Sequence, residues 1–289
     1  MAKPGGIANA VRVLREAGLV ERAAASGDVR DAGDLELLVG TGMRGPSGLL
    51  NEHALGRLVT VTREAVVASV DRGRQPLLVG GDCPVLLGAL AAGRERREEC
   101  GLLLVDGHED AWPPRLSPTG EASDSEIGIA LGLFGDDLPE PLDRLTPLLA
   151  PRSLAMLGPR DRREIEQAGG VSLEGTAGVF HDDEMVRART AVASAREAVE
   201  VLAKSSPAFW THIDLDVLVT EDLAAVDYPQ PGGLDWGQLL EIATYALAAP
   251  GCLGASVVIY NPDLDPERVA AERIVEFVGD LVAALSKPP

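Results

Sequence analysis

Short apolar runs that end in polar or glycine-rich clusters alternate along this chain with longer segments whose apolar residues recur every three to four positions. The alternation predicts a βαβ succession, in which parallel strands buried on both faces are covered by amphipathic helices. The strand candidates span 77–79, 101–105, 153–157, 177–180, 209–213 and 254–260. The clearest helices span 51–72, 84–97, 190–203, 235–248 and 266–286. Proline- and glycine-rich segments at 112–120 and 227–233 are loop-sized, and no internal repeat or long linker interrupts the pattern. One three-layer α/β domain over residues 1–289 is the simplest architecture.

In such sheets ligands bind just beyond the carboxyl ends of the strands. Three of the apolar runs empty there into potential metal ligands. LLVGGDC supplies Asp82 and Cys83, LLLVDGHED supplies Asp106, His108 and Asp110, and FWTHIDLD supplies Asp214 and Asp216. In the second and third segments these residues recur at every other position, which in extended chain points them to one side. Four converging carboxylates repel one another unless they are protonated or neutralised by cations. Two divalent ions would supply that charge. Carboxylate oxygens with one or two nitrogen or sulfur donors suit Mn²⁺ first, and Fe²⁺, Co²⁺, Ni²⁺ or Zn²⁺ are compatible. The plainer alternative is that each aspartate caps the helix that follows it. Capping gives no reason for three such segments to occur together, one of them holding a histidine.

Charge narrows the partners. The chain of 289 residues carries a formal −19 and has a pI near 4.6, so nucleic acid and anionic membranes repel it. A small neutral or cationic substrate fits better. No stretch approaches the roughly 18 apolar residues of a membrane span, and the amphipathic start makes a poor secretory signal. The cysteines, Cys83, Cys100 and Cys252, have neither zinc-finger spacing nor an even count, which predicts a reducing, cytoplasmic location. Cys100 and Cys252 read as structural.

The three segments, in this order and spacing, resemble the signatures GGDH, DAHxD and SxDxD of the arginase/agmatinase (ureohydrolase) family. Here they read Gly80-Gly81-Asp82-Cys83, Asp106-Gly107-His108-Glu109-Asp110 and His212-Ile213-Asp214-Leu215-Asp216. Segments 227–234 and 257–262 are similar to the family's GTPxPGGL-like loop and VVEVNP-like strand. The resemblance implies a three-layer α/β/α fold with an eight-stranded, mainly parallel sheet, assembled as a trimer or hexamer. It also implies that Asp106 and Asp214 bridge two metals, with His108 and Asp216 completing one and Cys83 and Asp110 the other. A hydroxide shared by the ions would attack a guanidinium carbon, and Asp110 would pass its proton to the leaving amine. His108 and Asp110 are thus the residues nearest the chemistry.

The departures from the family pattern matter as much. Cys83 replaces the GGDH histidine; it is either a competent thiolate ligand or a small buried hydrophobe. The arginase-like hydrolase of D-cycloserine biosynthesis, which acts on a hydroxylated arginine, is similar at this position. Ile259 replaces the glutamate that holds the guanidinium, and Tyr228 replaces a threonine. Losing such a charge-assisted contact costs roughly 1.5–3 kcal/mol, which argues against plain arginase activity. Segment 117–126 replaces a family loop and its proton-shuttling histidine. Its Glu121, Asp124 and Glu126 either receive a cationic substrate or are solvated charge. Arg163 replaces an aspartate that meets the substrate's α-amino group, and in the cavity it would favour a carboxylate.

The other polar residues carry blander expectations. His53 and His181 are expected to be exposed, and His212 is expected to point away from the side of Asp214. Trp112 either lines the entrance or packs. Three functions remain open. The chain is a binuclear hydrolase releasing urea or a substituted urea and an amine from a guanidino or amidino compound, a hydrolase of an amide or formimino C–N bond, or a catalytically silent binding or regulatory protein.

Overall fold

The computed structural model describes residues 6–37, 40–135 and 138–286. Its strands are β1 Leu77–Val79, β2 Gly101–Val105, β3 Leu154–Gly158, β4 Val179–Asp182, β5 Phe209–Asp214 and β6 Cys252–Val258. Its helices are α1 Ala10–Glu16, α2 Leu19–Ser26, α3 Glu52–Val70, α4 Val85–Arg97, α5 Glu126–Ala130, α6 Leu142–Leu145, α7 Arg162–Gln167, α8 Asp183–Arg189, α9 Ala191–Ser205, α10 Trp236–Ala248 and α11 Val269–Leu285. Every strand candidate and every long helix candidate has its counterpart, with ends moved by a few residues. Two helix starts have clear local causes. Thr190 caps α9, and Asp235 opens α10 with a capping box in which Gln238 answers its backbone N–H.

The strands form one parallel sheet in the order β1-β6-β5-β2-β3-β4. Side-chain alternation divides its two faces. Leu103, Val105, Leu157 and Ile213 pack on the side of α1, α9, α10 and α11, whereas Leu102, Leu104, Met156 and Trp210 pack on the side of α3, α4 and α5. All eight of these residues are fully buried, and each such aliphatic side chain stabilises the fold by about 1.5–3 kcal/mol. The α/β/α layering expected from the sequence is therefore present.

The eight strands implied by resemblance are not reached: the described residues give six. Further pairing is limited to isolated bridges, Leu218 with Leu234 and Arg44 with Leu50. Residues 29–37 have no ladder partner; Asp31 and Asp34 instead accept hydrogen bonds from Arg15. Among the described residues no helix is long and apolar enough to cross a membrane.

The strand order fixes where a ligand belongs. Connections from β2 run outward to β3, and those from β5 run the other way to β6, so adjacent strands part at β2 and β5. A crevice at the carboxyl ends of such a pair is the usual binding place in open α/β sheets. The second and third acidic segments leave β2 and β5 at that point.

Candidate metal centre

Asp106, His108 and Asp216 converge at this crevice with ligand atoms within 4.8 Å of one another. His108 Nδ1 lies 3.0 Å from Asp216 Oδ2 and 3.7 Å from Asp106 Oδ1. The loop after β2 is held by its own carboxylates: the His108 backbone N–H donates to Asp106 Oδ1 at 2.7 Å, and that of Gly107 donates to Asp216 Oδ1 at 3.2 Å. Asp214 arranges the third segment similarly, accepting from the Asp216 backbone N–H at 2.8 Å.

Cys83 reaches the same crevice from β1. Gly80 and Gly81 turn the chain there with φ of 89° and 76°, a conformation glycine adopts without steric cost. The turn delivers the Cys83 thiol to Asp214, to which Sγ donates at 2.8 Å. Asp110 is buried beside these groups, with a left-handed φ of 46°. That conformation is uncommon for a residue with a side chain, and it marks a position the surroundings must hold in place.

The electrostatics of the cluster point to the kind of ligand it fits. Burial, then the neighbouring carboxylates, hold Asp110 and Asp214 well above the ordinary aspartate range and raise Asp106 as well. Burial, then Asp214, pushes the Cys83 thiol upward. Burial alone would lower His108, but the facing Asp216 and Asp106 outweigh it and hold the imidazole well above its usual value. Burial likewise opposes ionisation of Asp216, yet His108, followed by Arg160, keeps that carboxyl below its usual value. Asp106 Oδ2 is buried and meets no hydrogen-bond donor. Orphaned oxygens among carboxyls that hold protons against their nature fit a site for divalent cations. Asp106, His108, Asp110, Asp214, Asp216 and Cys83 are the residues that could hold them.

Segment 117–126 does not act as a single acidic loop. Asp124 accepts from the hydroxyls of Ser117 and Thr119, which ties it into the loop's own fold. Glu121 is half-buried and accepts from the Tyr228 hydroxyl at 2.9 Å, with Tyr228 exposed. A shallow cleft is lined by Leu50, Ala54, Leu58, Asp82 and Glu121, among others. Glu126 is different again, because it is fully buried at the start of α5, beside Asp110.

Arg163 is exposed on α7. The guanidinium that reaches the metal crevice is that of Arg160, which donates to the Asp216 carbonyl at 2.8 Å. The arginine cluster in segment 158–164 was the only signal for it. His53 is exposed as expected, but His181 is 4% exposed, buried at β4 because it alternates inward with Val179. Trp112 is half-buried and is fixed to the 117–126 loop by its backbone.

His212 overturns its expectation. Residues 212 and 214 are two apart on β5, so they share a face, and His212 points towards Cys83 rather than away from the acidic cluster. Its Nδ1 lies 2.6 Å from Ser256 Oγ on the paired strand β6. Burial lowers its pKa to about 3, so the ring is neutral.

The Arginase family model matches residues 3–283. The chain belongs to the arginase family. Among curated arginase-family relatives, the arginase of Bacillus caldovelox is 27% identical over 277 residues, covering 93% of this chain and 89% of that protein. The N(omega)-hydroxy-L-arginine amidinohydrolase of Streptomyces lavendulae is 28% identical over 233 residues, covering 78% of this chain and 74% of that one. The arginase fold is shared with the solved Bacillus caldovelox arginase at a TM-score of 0.79, with 23% identity and coverage of 98% of this chain and 93% of that one. The formimidoylglutamase of Bacillus subtilis aligns at a TM-score of 0.74 with 17% identity, covering 99% and 84%. The family's members in these comparisons are hydrolases of guanidino or amidino C–N bonds, and the family's chemistry is metal-dependent.

Proposed function

We propose that the chain is a binuclear metal-dependent hydrolase that cleaves a C–N bond of a guanidino or amidino compound to urea, or a substituted urea, and an amine. The observation that supports this most is the convergence of Asp106, His108 and Asp216 with the Cys83–Asp214 pair at the β2/β5 crevice. Two divalent ions, Mn²⁺ first, would neutralise this cluster when bound and lower the pKa of a coordinated water towards neutrality.

The chain's own residues have separable tasks. Asp214, bonded to the Cys83 thiol and to the Asp216 backbone N–H, and Asp106, beside His108, would be shared. Asp110 is a buried carboxyl at the end of the second acidic segment, so it suits transfer of a proton to the departing amine. Glu121, oriented by Tyr228, puts a negative charge at the cleft and suits a cationic substrate end. Asp124 supports that loop, and an exposed Arg163 is left to meet a substrate carboxylate from outside. A cytoplasmic protein assembled as a trimer or hexamer, acting on a small molecule and not on nucleic acid or membrane, completes the proposal.

One observation favours a second reading. At the position where the resemblance places a guanidinium-binding glutamate stands Ile259, 7% exposed and with φ 60°. A buried apolar side chain offers a guanidinium nothing, so a hydrolase of an amide or formimino bond is the alternative. Urea release from a panel of guanidino compounds by the Mn²⁺-loaded protein tests the first reading. Turnover of formimino or amide substrates without urea would replace it with the second. Metal uptake without any turnover would point to a silent binding protein.

A further inference from the structure

Cys83 has two neighbours outside the ligand pattern that the family resemblance implies. Its Sγ, a carboxylate oxygen of Glu126 and a ring nitrogen of His212 all lie within 4.8 Å of one another. All three residues are buried, with Glu126 and His212 wholly inaccessible. His212 Nε2 has no partner, and the Glu126 carboxyl has no well-formed hydrogen bond, its nearest side-chain neighbour being another carboxyl, Asp110. Buried polar atoms are ordinarily satisfied, and a carboxyl and an imidazole nitrogen left open beside a buried thiol call for a ligand.

The surroundings fix the imidazole from behind. Ser256 Oγ lies 2.6 Å from His212 Nδ1 and accepts from Trp210 Nε1 at 3.0 Å. Trp210, His212 and Ser256 belong to neighbouring strands in register, so the ring is held by the sheet itself. Nδ1 faces the serine, and Nε2 is the ring nitrogen left without a partner. Ligating histidines commonly have this arrangement, one nitrogen on the metal and the other anchored by an oxygen.

We propose that Cys83, Glu126 and His212 form a metal position of their own, holding one ion through thiolate sulfur, carboxylate oxygen and imidazole Nε2. The proposal rests on the reading of Cys83 as a ligand and changes what surrounds it. Glu126 then ligates metal and does not receive substrate. The two metal positions become chemically unlike: Asp106, His108 and Asp216 offer mostly oxygen, whereas the second trio is softer and has the sulfur and nitrogen donors of zinc sites. The ion chosen there is Zn²⁺ or Co²⁺ in preference to Mn²⁺.

The test uses the full chain, stripped with a chelator and reloaded with a mixture of Mn²⁺ and Zn²⁺, or with Co²⁺ alone. Elemental analysis and the near-ultraviolet thiolate-to-cobalt charge-transfer band are read together. Circular dichroism confirms that each variant is folded. The wild type should take up one zinc and one manganese, and the cobalt form should show the band. Glu126→Gln and His212→Gln should each weaken zinc binding by at least about ten-fold, as loss of a first ligand or its orientation does, shift the band and leave the manganese in place. If both variants keep both metals and an unchanged band while Cys83→Ser loses them, Cys83 ligates without this trio and the proposal falls. If Cys83→Ser also keeps both metals, the reading of Cys83 as a ligand falls with it.

Discussion

The Cys83 thiol donates a hydrogen bond to Asp214 Oδ2 across 2.8 Å, joining the first acidic segment to the third although 131 residues separate them in sequence. A thiol and a carboxyl that share a proton in a buried place are poised to exchange it for a cation, because metal binding removes the proton from a coordinating thiol outright. The pair therefore marks where binding a metal and releasing a proton are linked.

Asp214→Ala should lower metal content and abolish hydrolysis. The carboxylate lies at the centre of the cluster, hydrogen-bonded to Cys83 and to the Asp216 backbone. Elemental analysis and a turnover assay on the same preparation check this, and activity surviving without Asp214 would remove it from the site.

Arg160→Met should lower metal affinity by about 10- to 100-fold, the usual loss when a group that orients a ligand is removed. Its guanidinium donates to the Asp216 carbonyl at 2.8 Å and contacts no other part of the proposed metal cluster by hydrogen bond. Titration with Mn²⁺ followed by calorimetry reads the change. An unchanged affinity would mean that β5 positions Asp216 without help.

Removal of metal should make stability fall as pH rises. Asp110, Glu126, Asp214 and Cys83 all have raised folded-state pKa values, chiefly through burial. Between their unfolded and folded values the native state binds more protons than the unfolded one, so the slope of stability against pH is negative. For the carboxyls the decline begins near pH 4, their ordinary value, and Asp161, raised to about 7 by burial, extends it to neutrality. Urea denaturation of chelator-treated protein from pH 4 to 8 should show this decline, and reloading with metal should flatten it. A chelated protein that gains stability over the range would contradict the assignment.

Glu121→Gln should raise KM for a cationic substrate by about ten-fold or more with kcat retained, since a charge-assisted contact contributes about 1.5–3 kcal/mol. Tyr228→Phe keeps the charge and loses only the 2.9 Å hydrogen bond that orients it, so a smaller rise follows. Both positions are at least partly exposed, and stability should stay within about 0.5 kcal/mol. Equal KM values in all three proteins would place the substrate cation elsewhere.

Periodicity along the chain determined the six strands, the long helices and the strand ends from which chemistry projects, because burial on both faces imposes those patterns locally. The ligand types at Asp106, His108, Asp110, Asp214 and Asp216 were legible for the same reason: an apolar strand that ends in alternating donors is a local signal. Two readings failed on local geometry alone. Strand alternation, correctly counted, puts His212 on the face of Asp214, and His181 inward beside Val179. The tertiary structure decided the rest. Glu126 looked like one more charge in an acidic loop, and only the docking of α5 on the loop after β2, where the Ile127 and Gly128 N–H groups donate to the Asp110 carbonyl, buries it beside Asp110. Arg160 and Arg163 are indistinguishable in sequence, but the turn into α7 sends one to Asp216 and leaves the other in solvent. Ser256 has no motif at all, and it matters because β6 pairs with β5 in the register that sets it against His212. Contacts between residues far apart in the chain are set by strand order and register, which depend on the whole sheet, so no local pattern can encode them.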